Sequence, residues 1–146
     1  MKNYKIYVDG SCRGNGNGGI GIVWLNNGEK VFEYSKGYIN TTNNRMELLA
    51  IYLALHSIKK PIDSLEIVSD SEYSLGVLTN ESWNPKKNVA LIMAIKHQIN
   101  RTQELVKNPI KWTHTNGHAS DDSENTLWNN YADKLAQNES IMVKYE

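Results

Sequence analysis

Tyr4-Lys5-Ile6-Tyr7-Val8 and Leu65-Glu66-Ile67-Val68-Ser69 are two short segments rich in β-branched and aliphatic residues, and each is followed at once by an aspartate, Asp9 and Asp70. Their length and composition predict strands. An acid at the end of a central strand is costly to desolvate, and two such acids side by side repel each other unless a cation lies between them. The two segments therefore predict a sheet with a divalent-cation site where neighbouring strands end.

The composition is that of a globular chain. Its 146 residues are 40% hydrophobic and 22% charged, with 16 basic and 16 acidic side chains, and this length predicts one domain over residues 1–146. The balanced charge argues neither for nor against nucleic acid as a partner. Cys12 is the single cysteine, which leaves no internal disulfide and indicates a reducing compartment, so we expect a cytoplasmic location. Without a signal core or a run of about 20 apolar residues, no contact with a membrane is expected.

Turn and cap signals divide the chain into strands and helices. Asn26-Asn27-Gly28 predicts a turn between two strands, and Thr41-Thr42-Asn43-Asn44 predicts the start of a helix. An antiparallel meander followed by crossover connections indicates an α/β fold, with helices packed on a mixed sheet. The predicted strands cover about 4–9, 18–26, 30–38, 65–70 and 109–114, and the predicted helices run from about 41–44 to 58 and over 71–78, 89–105 and 127–136.

Three of the predicted helices carry hydrophobic residues at helical spacing, and in the first helix this spacing indicates an apolar face. Glu47 borders that face. The spaced residues are Met46, Leu49, Ala50, Leu53, Ala54 and Ile58 in the first helix, Ile92, Ile95 and Ile99 on one side of the third, and Leu127, Tyr131 and Leu135 in the last.

The segment Gly14-Asn15-Gly16-Asn17-Gly18-Gly19 formally matches the Gly-x-Gly-x-x-Gly fingerprint of dinucleotide-binding proteins. That fingerprint must open a helix, whereas residues 20–25 have the pattern of a strand. The segment therefore predicts a hairpin turn with glycine at positive φ. Such a turn can bring its backbone close to a nucleic-acid strand.

Four acids are candidate functional residues, and each also has an ordinary explanation. Asp9 is compatible with a turn, and Asp70 with a helix cap. Glu47 is compatible with a first-turn acid favoured by the helix dipole, and Asp133 with a solvated acid of the last helix. Taken singly, none of the four establishes a catalytic site.

Taken together with their flanking residues, these acids resemble the type 1 ribonuclease H family over nearly the whole chain. The resemblance implies a five-stranded mixed sheet flanked by helices, and a quartet of acids, Asp9, Glu47, Asp70 and Asp133, that binds two magnesium ions, with manganese as an alternative. Oxygen ligands suit these cations. The motifs that carry the resemblance are Asp9-Gly10-Ser11-Cys12, Thr42-Asn43-Asn44-Arg45-Met46-Glu47, Ser69-Asp70-Ser71-Glu72-Tyr73, Asn116-Gly117-His118-Ala119 and Asn130-Tyr131-Ala132-Asp133.

The resemblance implies an endonuclease that cuts the RNA strand of an RNA–DNA hybrid and leaves 5′-phosphate and 3′-hydroxyl ends. His118 matches the family's mobile histidine, which implies proton transfer or help with product release, and Thr42 matches part of a pocket for a DNA-strand phosphate. For each substrate-binding residue, a turn, a cap or simple packing is the alternative. The residues that would line the minor groove of the hybrid are Cys12, Asn15, Asn43, Asn44 and Glu72.

Two features depart from the bacterial members of the family. Glu72 replaces an amide, and an ionised carboxylate accepts hydrogen bonds but cannot donate them. The loop from Glu81 to Asn88 is short and has only two lysines, which predicts weaker hybrid binding with a flatter salt dependence. Trp83 in this loop is suited either to stacking on the substrate or to packing.

Two other functions stay open at this point. The first is a binding module that holds hybrids or double-stranded RNA without cutting, although such a module does not need four clustered anions. The second is a nuclease for another substrate such as junction DNA, which the asparagines suited to 2′-hydroxyl groups argue against. We expect a free-standing monomer, with a domain of a larger protein such as a reverse transcriptase as the alternative, and the sequence identifies no replication partner.

Overall fold

The fold is an α/β arrangement, which the computed structural model describes for residues 2–117 and 120–142. The strands are β1 (Asn3–Cys12), β2 (Gly18–Asn26), β3 (Glu29–Tyr38), β4 (Ser64–Ser69) and β5 (Lys111–His114). The helices are α1 (Asn43–His56), α2 (Glu72–Thr79), α3 (Val89–Gln103) and α4 (Glu124–Met142). The predicted fold class and element order are confirmed. None of the described helices is both long and apolar enough to cross a lipid bilayer.

Strand β1 lies at the centre of a mixed sheet of order β3-β2-β1-β4-β5. It runs antiparallel to β2, with Asp9 opposite Gly21, and parallel to β4, with Tyr7 opposite Val68. Asp9 therefore lies inside the central strand, and the expectation that it closes the strand is wrong because pairing with β2 continues to Cys12. Asp70 directly follows β4, and the parallel register brings it level with Asp9.

The face of the sheet that α1 covers is filled by large aliphatic side chains. Helix α1 begins at Thr42, whose hydroxyl accepts a hydrogen bond from the Arg45 N–H at 3.2 Å. The predicted apolar face is only partly correct, since Leu49 and Leu53 are half-buried. The buried surface of α1 is wider than one stripe because α3 packs on it as well as the sheet. Fully buried members of this core are Ile6, Val8, Ile20, Ile22, Leu48, Ile51 and Leu55.

The opposite face is built by close approach of α4 to the backbone of β2. A Cβ atom added to Gly21 would lie 2.2 Å from the carbonyl oxygen of Ala132, and one added to Gly19 would lie 2.2 Å from that of Ala136. Because the contact is made by backbone, the buried residues of α4 are small or polar. They are Thr126, Asn129, Ala132, Ala136 and Ser140.

The terminal helix predicted from the spacing of Leu127, Tyr131 and Leu135 is confirmed, although these three residues are not its most buried ones. Leu127 is 58% exposed, and Tyr131 and Leu135 are only half-buried. The helix also begins three residues earlier and ends six residues later than the predicted range of 127–136. Tyr131 and Leu135 nevertheless pack against a buried cluster that includes Tyr7 and Val23, and the residues of α4 that contact the glycines of β2 are small.

Both predicted turns are confirmed. Asn27 and Gly28 have φ values of 51° and 87° between β2 and β3, as a tight hairpin with two left-handed residues requires. The glycine-rich segment joins β1 to β2, and Gly16 within it has a φ of 87°. Because strand β2 follows this turn where the dinucleotide fingerprint needs a helix, the fold excludes dinucleotide binding by this motif.

The segment after Asp70 leads into α2 and then, over residues 80–88, into α3. The cap of α2 is Ser71, whose hydroxyl accepts a hydrogen bond from the Ser74 N–H at 3.1 Å, so Asp70 is left for another role. Trp83 packs across Gly76, where a Cβ atom would lie 2.4 Å from the indole ring. Its ring also meets that of Tyr73 edge-on, at 6.2 Å between centroids. Packing is thus one role of Trp83, although part of the ring is exposed.

Candidate metal centre

Three acids from three different elements meet beside the central strand. Asp9 of β1, Glu47 of α1 and Asp70 after β4 each offer one carboxylate oxygen, and these oxygens lie within 4.8 Å of one another. Asp9 is 2% exposed and Glu47 is 7% exposed, while Asp70 is half-buried. Acids are seldom buried without a partner. A nearby positive charge is therefore needed to stabilise this cluster in its ionised form.

Gly10 allows Glu47 to reach Asp9. A Cβ atom at Gly10 would lie 2.3 Å from the Glu47 nitrogen and 2.4 Å from the Met46 carbonyl carbon, so the start of α1 can pack here only against glycine. The Gly10 N–H donates a hydrogen bond to Glu47 Oε1 at 2.9 Å. Oε2 of Glu47 and Oδ2 of Asp9 are buried, and within residues 2–117 and 120–142 neither has a hydrogen-bond partner.

Burial raises the pKa of both Asp9 and Glu47. For Asp9 the carboxylate of Glu47 is the next cause, and the pKa lies far above the usual range of an aspartate. For Glu47 burial outweighs the hydrogen bonds that favour the charged form, the charge of Asp70 adds to it, and the pKa is raised to about 7. Without a bound cation, it is thus unfavourable to ionise both acids. A bound cation would stabilise their ionised forms.

The residues present fit a divalent cation with oxygen ligands. Two buried carboxylate oxygens lack hydrogen-bond partners among residues 2–117 and 120–142, and a third acid lies within reach of both. In the described part of the chain, Asp9, Glu47 and Asp70 form no ion pair with a basic side chain, because the pairs found there involve other acids. Magnesium and similar hard cations bind such carboxylates.

Asp133 of α4 interacts with Asp9 and Glu47, although it is not one of the three acids whose oxygens lie within 4.8 Å of one another. A hydrogen bond from protonated Asp9 to the Asp133 carboxylate raises the pKa of Asp9, and the charge of Asp133 raises the pKa of Glu47. Gln137 Nε2 also donates a hydrogen bond to Asp133 Oδ2 at 2.9 Å. The close packing of α4 on β2 brings this acid to the cluster, so the ordinary explanation of a merely solvated residue does not describe it.

The residues expected to contact nucleic acid lie on neighbouring exposed segments. The Thr41 N–H donates to the Gly16 carbonyl at 3.0 Å, which joins the glycine-rich turn to the start of α1. Some of these side chains also have local roles: Asn15 Oδ1 accepts from the Asn17 N–H at 3.0 Å, and the Cys12 thiol donates to the Thr41 carbonyl at 3.3 Å. Residues that are exposed are Asn15, Thr42, Asn43, Asn44 and Glu72, whereas Cys12 is half-buried.

His118 lies outside the described residues, so its role stays a prediction. The described part of its loop does reach the acids. A Cβ atom at Gly117 would lie 2.9 Å from Asp70 Oδ2, which places the Gly117 backbone against that carboxylate.

One polar residue of the centre was absent from the sequence-based set. Asn129 of α4 is 1% exposed, and its Nδ2 atom lies 3.4 Å from Asp70 Oδ2 as a hydrogen-bond donor. A signal was available, because Asn129 precedes Asp133 by four residues and therefore shares its face of the helix. An isolated amide in a helix usually indicates an exposed position, so this signal is weak on its own.

Comparison with known proteins gives a consistent result. The family model described as RNase H matches residues 1–141. A ribonuclease H of Actinobacillus pleuropneumoniae serotype 5b is 40% identical over 148 residues, covering 97% of this chain and 95% of that protein. The ribonuclease HI of Haemophilus influenzae is 37% identical over 147 residues, covering 96% and 94%.

Among solved structures, LC11-RNase H1, isolated from compost by a metagenomic approach, matches with a TM-score of 0.78 at 25% identity, and 97% of each chain is covered. LC11-RNase H1 has also been solved in complex with an RNA/DNA hybrid; that structure matches with a TM-score of 0.73 at 24% identity, over 93% of this chain and 95% of that one.

Proposed function

The chain belongs to the ribonuclease H family, and we propose that it hydrolyses the RNA strand of RNA–DNA hybrids at a magnesium centre formed by Asp9, Glu47, Asp70 and Asp133. The observation that carries this proposal is the meeting of three acids within 4.8 Å, two of them buried with an oxygen that lacks a partner in the described residues. Such a cluster is unfavourable in an apolar core and useful at a cation site.

Two magnesium ions bound by these acids would supply an activated water and stabilise the leaving 3′-oxygen. The chain's own part is to hold the ligands in place. Asp9 interacts with each of the other three acids, so it would hold the ions together with them. The rigid setting of β1, and the hydrogen bond from Gly10 to Glu47, keep these two carboxylates aligned before substrate arrives.

Recognition of RNA is assigned to the polar residues around the start of α1. A 2′-hydroxyl group both donates and accepts hydrogen bonds, and the exposed amides of Asn15, Asn43 and Asn44 can serve both needs. Glu72, exposed in the first turn of α2, can only accept when ionised. Cys12 and Thr42 complete the proposed substrate-binding set, and His118 is retained for proton transfer or product release.

The test is cleavage of a labelled RNA–DNA hybrid beside double-stranded RNA and double-stranded DNA, each with magnesium, with manganese and with a chelator. We expect metal-dependent loss of the RNA strand in the hybrid alone, because the site needs a cation and the recognition residues need 2′-hydroxyl groups on one strand. Binding without cleavage in either metal would favour a binding module instead. Equal cleavage of double-stranded RNA would contradict the proposed specificity.

The matched variant is Asp70→Asn, which keeps the shape of the side chain and removes one charged ligand. We expect cleavage to fall to the level of the chelator control while hybrid binding, measured by fluorescence anisotropy, is retained. Cleavage by Asp70→Asn at the wild-type rate would contradict the assigned role of this acid.

A further inference from the structure

Asp70 differs from the other two acids of the cluster in how its position is set. Asp9 lies within β1 and pairs with Gly21 of β2, and Glu47 lies in α1 with Oε1 bonded to the Gly10 N–H. Asp70 lies outside regular structure, between the last residue of β4 and the cap of α2. Its carboxylate therefore needs alignment from a side chain or backbone group elsewhere in the fold.

One hydrogen-bond donor and one backbone segment lie beside the same oxygen of Asp70. The Nδ2 atom of Asn129 lies 3.4 Å from Oδ2, and a Cβ atom at Gly117 would lie 2.9 Å from that oxygen. The Gly117 backbone thus limits the space on one side, and the Asn129 amide provides the hydrogen-bond donor. This donor comes from α4, which also carries Asp133 one turn later.

Asn129 has a second feature that packing does not explain. Its side chain is 1% exposed, and its Oδ1 atom has no hydrogen-bond partner among residues 2–117 and 120–142. A buried carbonyl oxygen without a partner costs about 1–3 kcal/mol. By contrast, the buried amide of Gln98 in α3 donates to Thr102, whose hydroxyl in turn donates to the Leu55 carbonyl. Gln98 is a structural amide, whereas Asn129 keeps an unpaired acceptor beside a cluster of acids.

We propose that Asn129 is a positioning residue for the cation site: its Nδ2 atom holds Asp70 Oδ2, and its Oδ1 atom accepts a hydrogen bond from water at the site. This inference rests on the proposed function, because it needs a cation that the acids bind. It explains why an amide occupies a position of α4 where the other buried residues are alanine, serine and threonine. Helix α4 then contributes two residues to the centre: Asp133 as a ligand and Asn129 as a positioning residue.

The variant that tests it is Asn129→Leu, which has the same branched skeleton, a somewhat larger volume and no polar atoms in its side chain. Binding of magnesium and of manganese to the free protein is measured by isothermal titration calorimetry, and melting temperature is measured in chelator. We expect the affinity for the cation to fall about tenfold, the lower end of the range for residues that support metal ligands. The melting temperature in chelator should stay level or rise, since an unpaired buried oxygen has been removed. In hybrid cleavage, kcat should fall while KM is unchanged, and excess metal should restore part of the activity.

Gln98→Leu is the matched control, a buried amide replaced far from the acids. It should melt at a lower temperature, because the Thr102 hydroxyl loses the hydrogen bond that it accepts from Gln98, and it should bind the cations as the wild type does. An Asn129→Leu protein that binds both cations with wild-type affinity would overturn the inference while leaving the proposed function intact. A wild-type protein that neither binds the cations nor cuts the hybrid would overturn both.

Discussion

Helices α1 and α4 pack on opposite faces of the same two strands, β1 and β2, but they contact them through different atoms. On the α1 side, aliphatic side chains such as Leu48 and Ile51 fill the space between helix and sheet. On the α4 side, the helix backbone approaches glycines of β2 directly. A layer of side chains can adjust by changing rotamers, whereas a contact between two backbones leaves no room for adjustment.

The acid cluster depends at two places on direct contact between a helix and a glycine of the sheet. Gly10 lets the first turn of α1 approach β1 and brings in Glu47, and Gly21 lets α4 approach β2 and brings in Asp133. Asp9 lies opposite Gly21, so it shares the α4 side with Asp133. Stability therefore comes mainly from the aliphatic layer, while the positions of the ligands depend on glycines.

The largest loss in the free energy of unfolding that we expect from this comparison follows from a substitution at Gly21. In Gly21→Ala the new Cβ atom would lie 2.2 Å from the Ala132 carbonyl oxygen, and neither backbone can move away without shifting the helix. We expect the free energy of unfolding, measured by urea denaturation, to fall by about 3 kcal/mol. Gly14→Ala is the control, because a Cβ atom there meets nothing within 4 Å and should change stability by less than about 0.5 kcal/mol. Equal stabilities of the two variants would contradict the close-packing account.

The same comparison explains which features could be predicted from the sequence. The hairpin at Asn27 and the helix start at Thr42 follow from local chemistry, and both are confirmed. The buried face of α4 could not be predicted from hydrophobic spacing, because alanine and serine against glycine carry no such pattern. The acids Asp9, Glu47 and Asp70 were identified through the family resemblance, and the structure brings them together. Asn129 was missed because its role depends on a contact between distant segments.

The effect of intermediate size is the pH dependence of stability, which we expect to arise from the acid cluster where the two faces meet. The pKa of Glu47 is raised to about 7, mainly by burial, and that of Asp9 is raised further. The folded protein without metal therefore binds protons more strongly than the unfolded chain, so its stability is highest at low pH and falls as the pH rises from about 5 towards 8. The expected loss is on the order of 1–3 kcal/mol, because one pKa unit corresponds to about 1.4 kcal/mol.

Melting curves at pH 5 and pH 8, with chelator and with magnesium, measure this loss. The stabilisation by magnesium should be larger at pH 8, where the metal has fewer protons to displace. Asp9→Asn removes the titrating group whose pKa is raised most, so in chelator the stability of this variant should depend less on pH over this range. A pH dependence in Asp9→Asn identical to that of the wild type would show that the cluster is not its cause.

The smallest change in the free energy of unfolding is expected from truncating a side chain on the outer side of α4. Leu127 is one of the residues whose spacing predicts this helix, yet it is 58% exposed, so Leu127→Ala should change the free energy of unfolding by less than about 0.5 kcal/mol. Leu48→Ala is the matched substitution in α1. Leu48 is fully buried against the sheet, and its truncation should cost about 3 kcal/mol through lost burial and the cavity left behind. Urea denaturation of both variants compares the two helices directly. Because both changes remove the same atoms from a helix, similar losses would mean that α4, too, depends on its leucines, and that the backbone contact with β2 is not what holds it on the sheet.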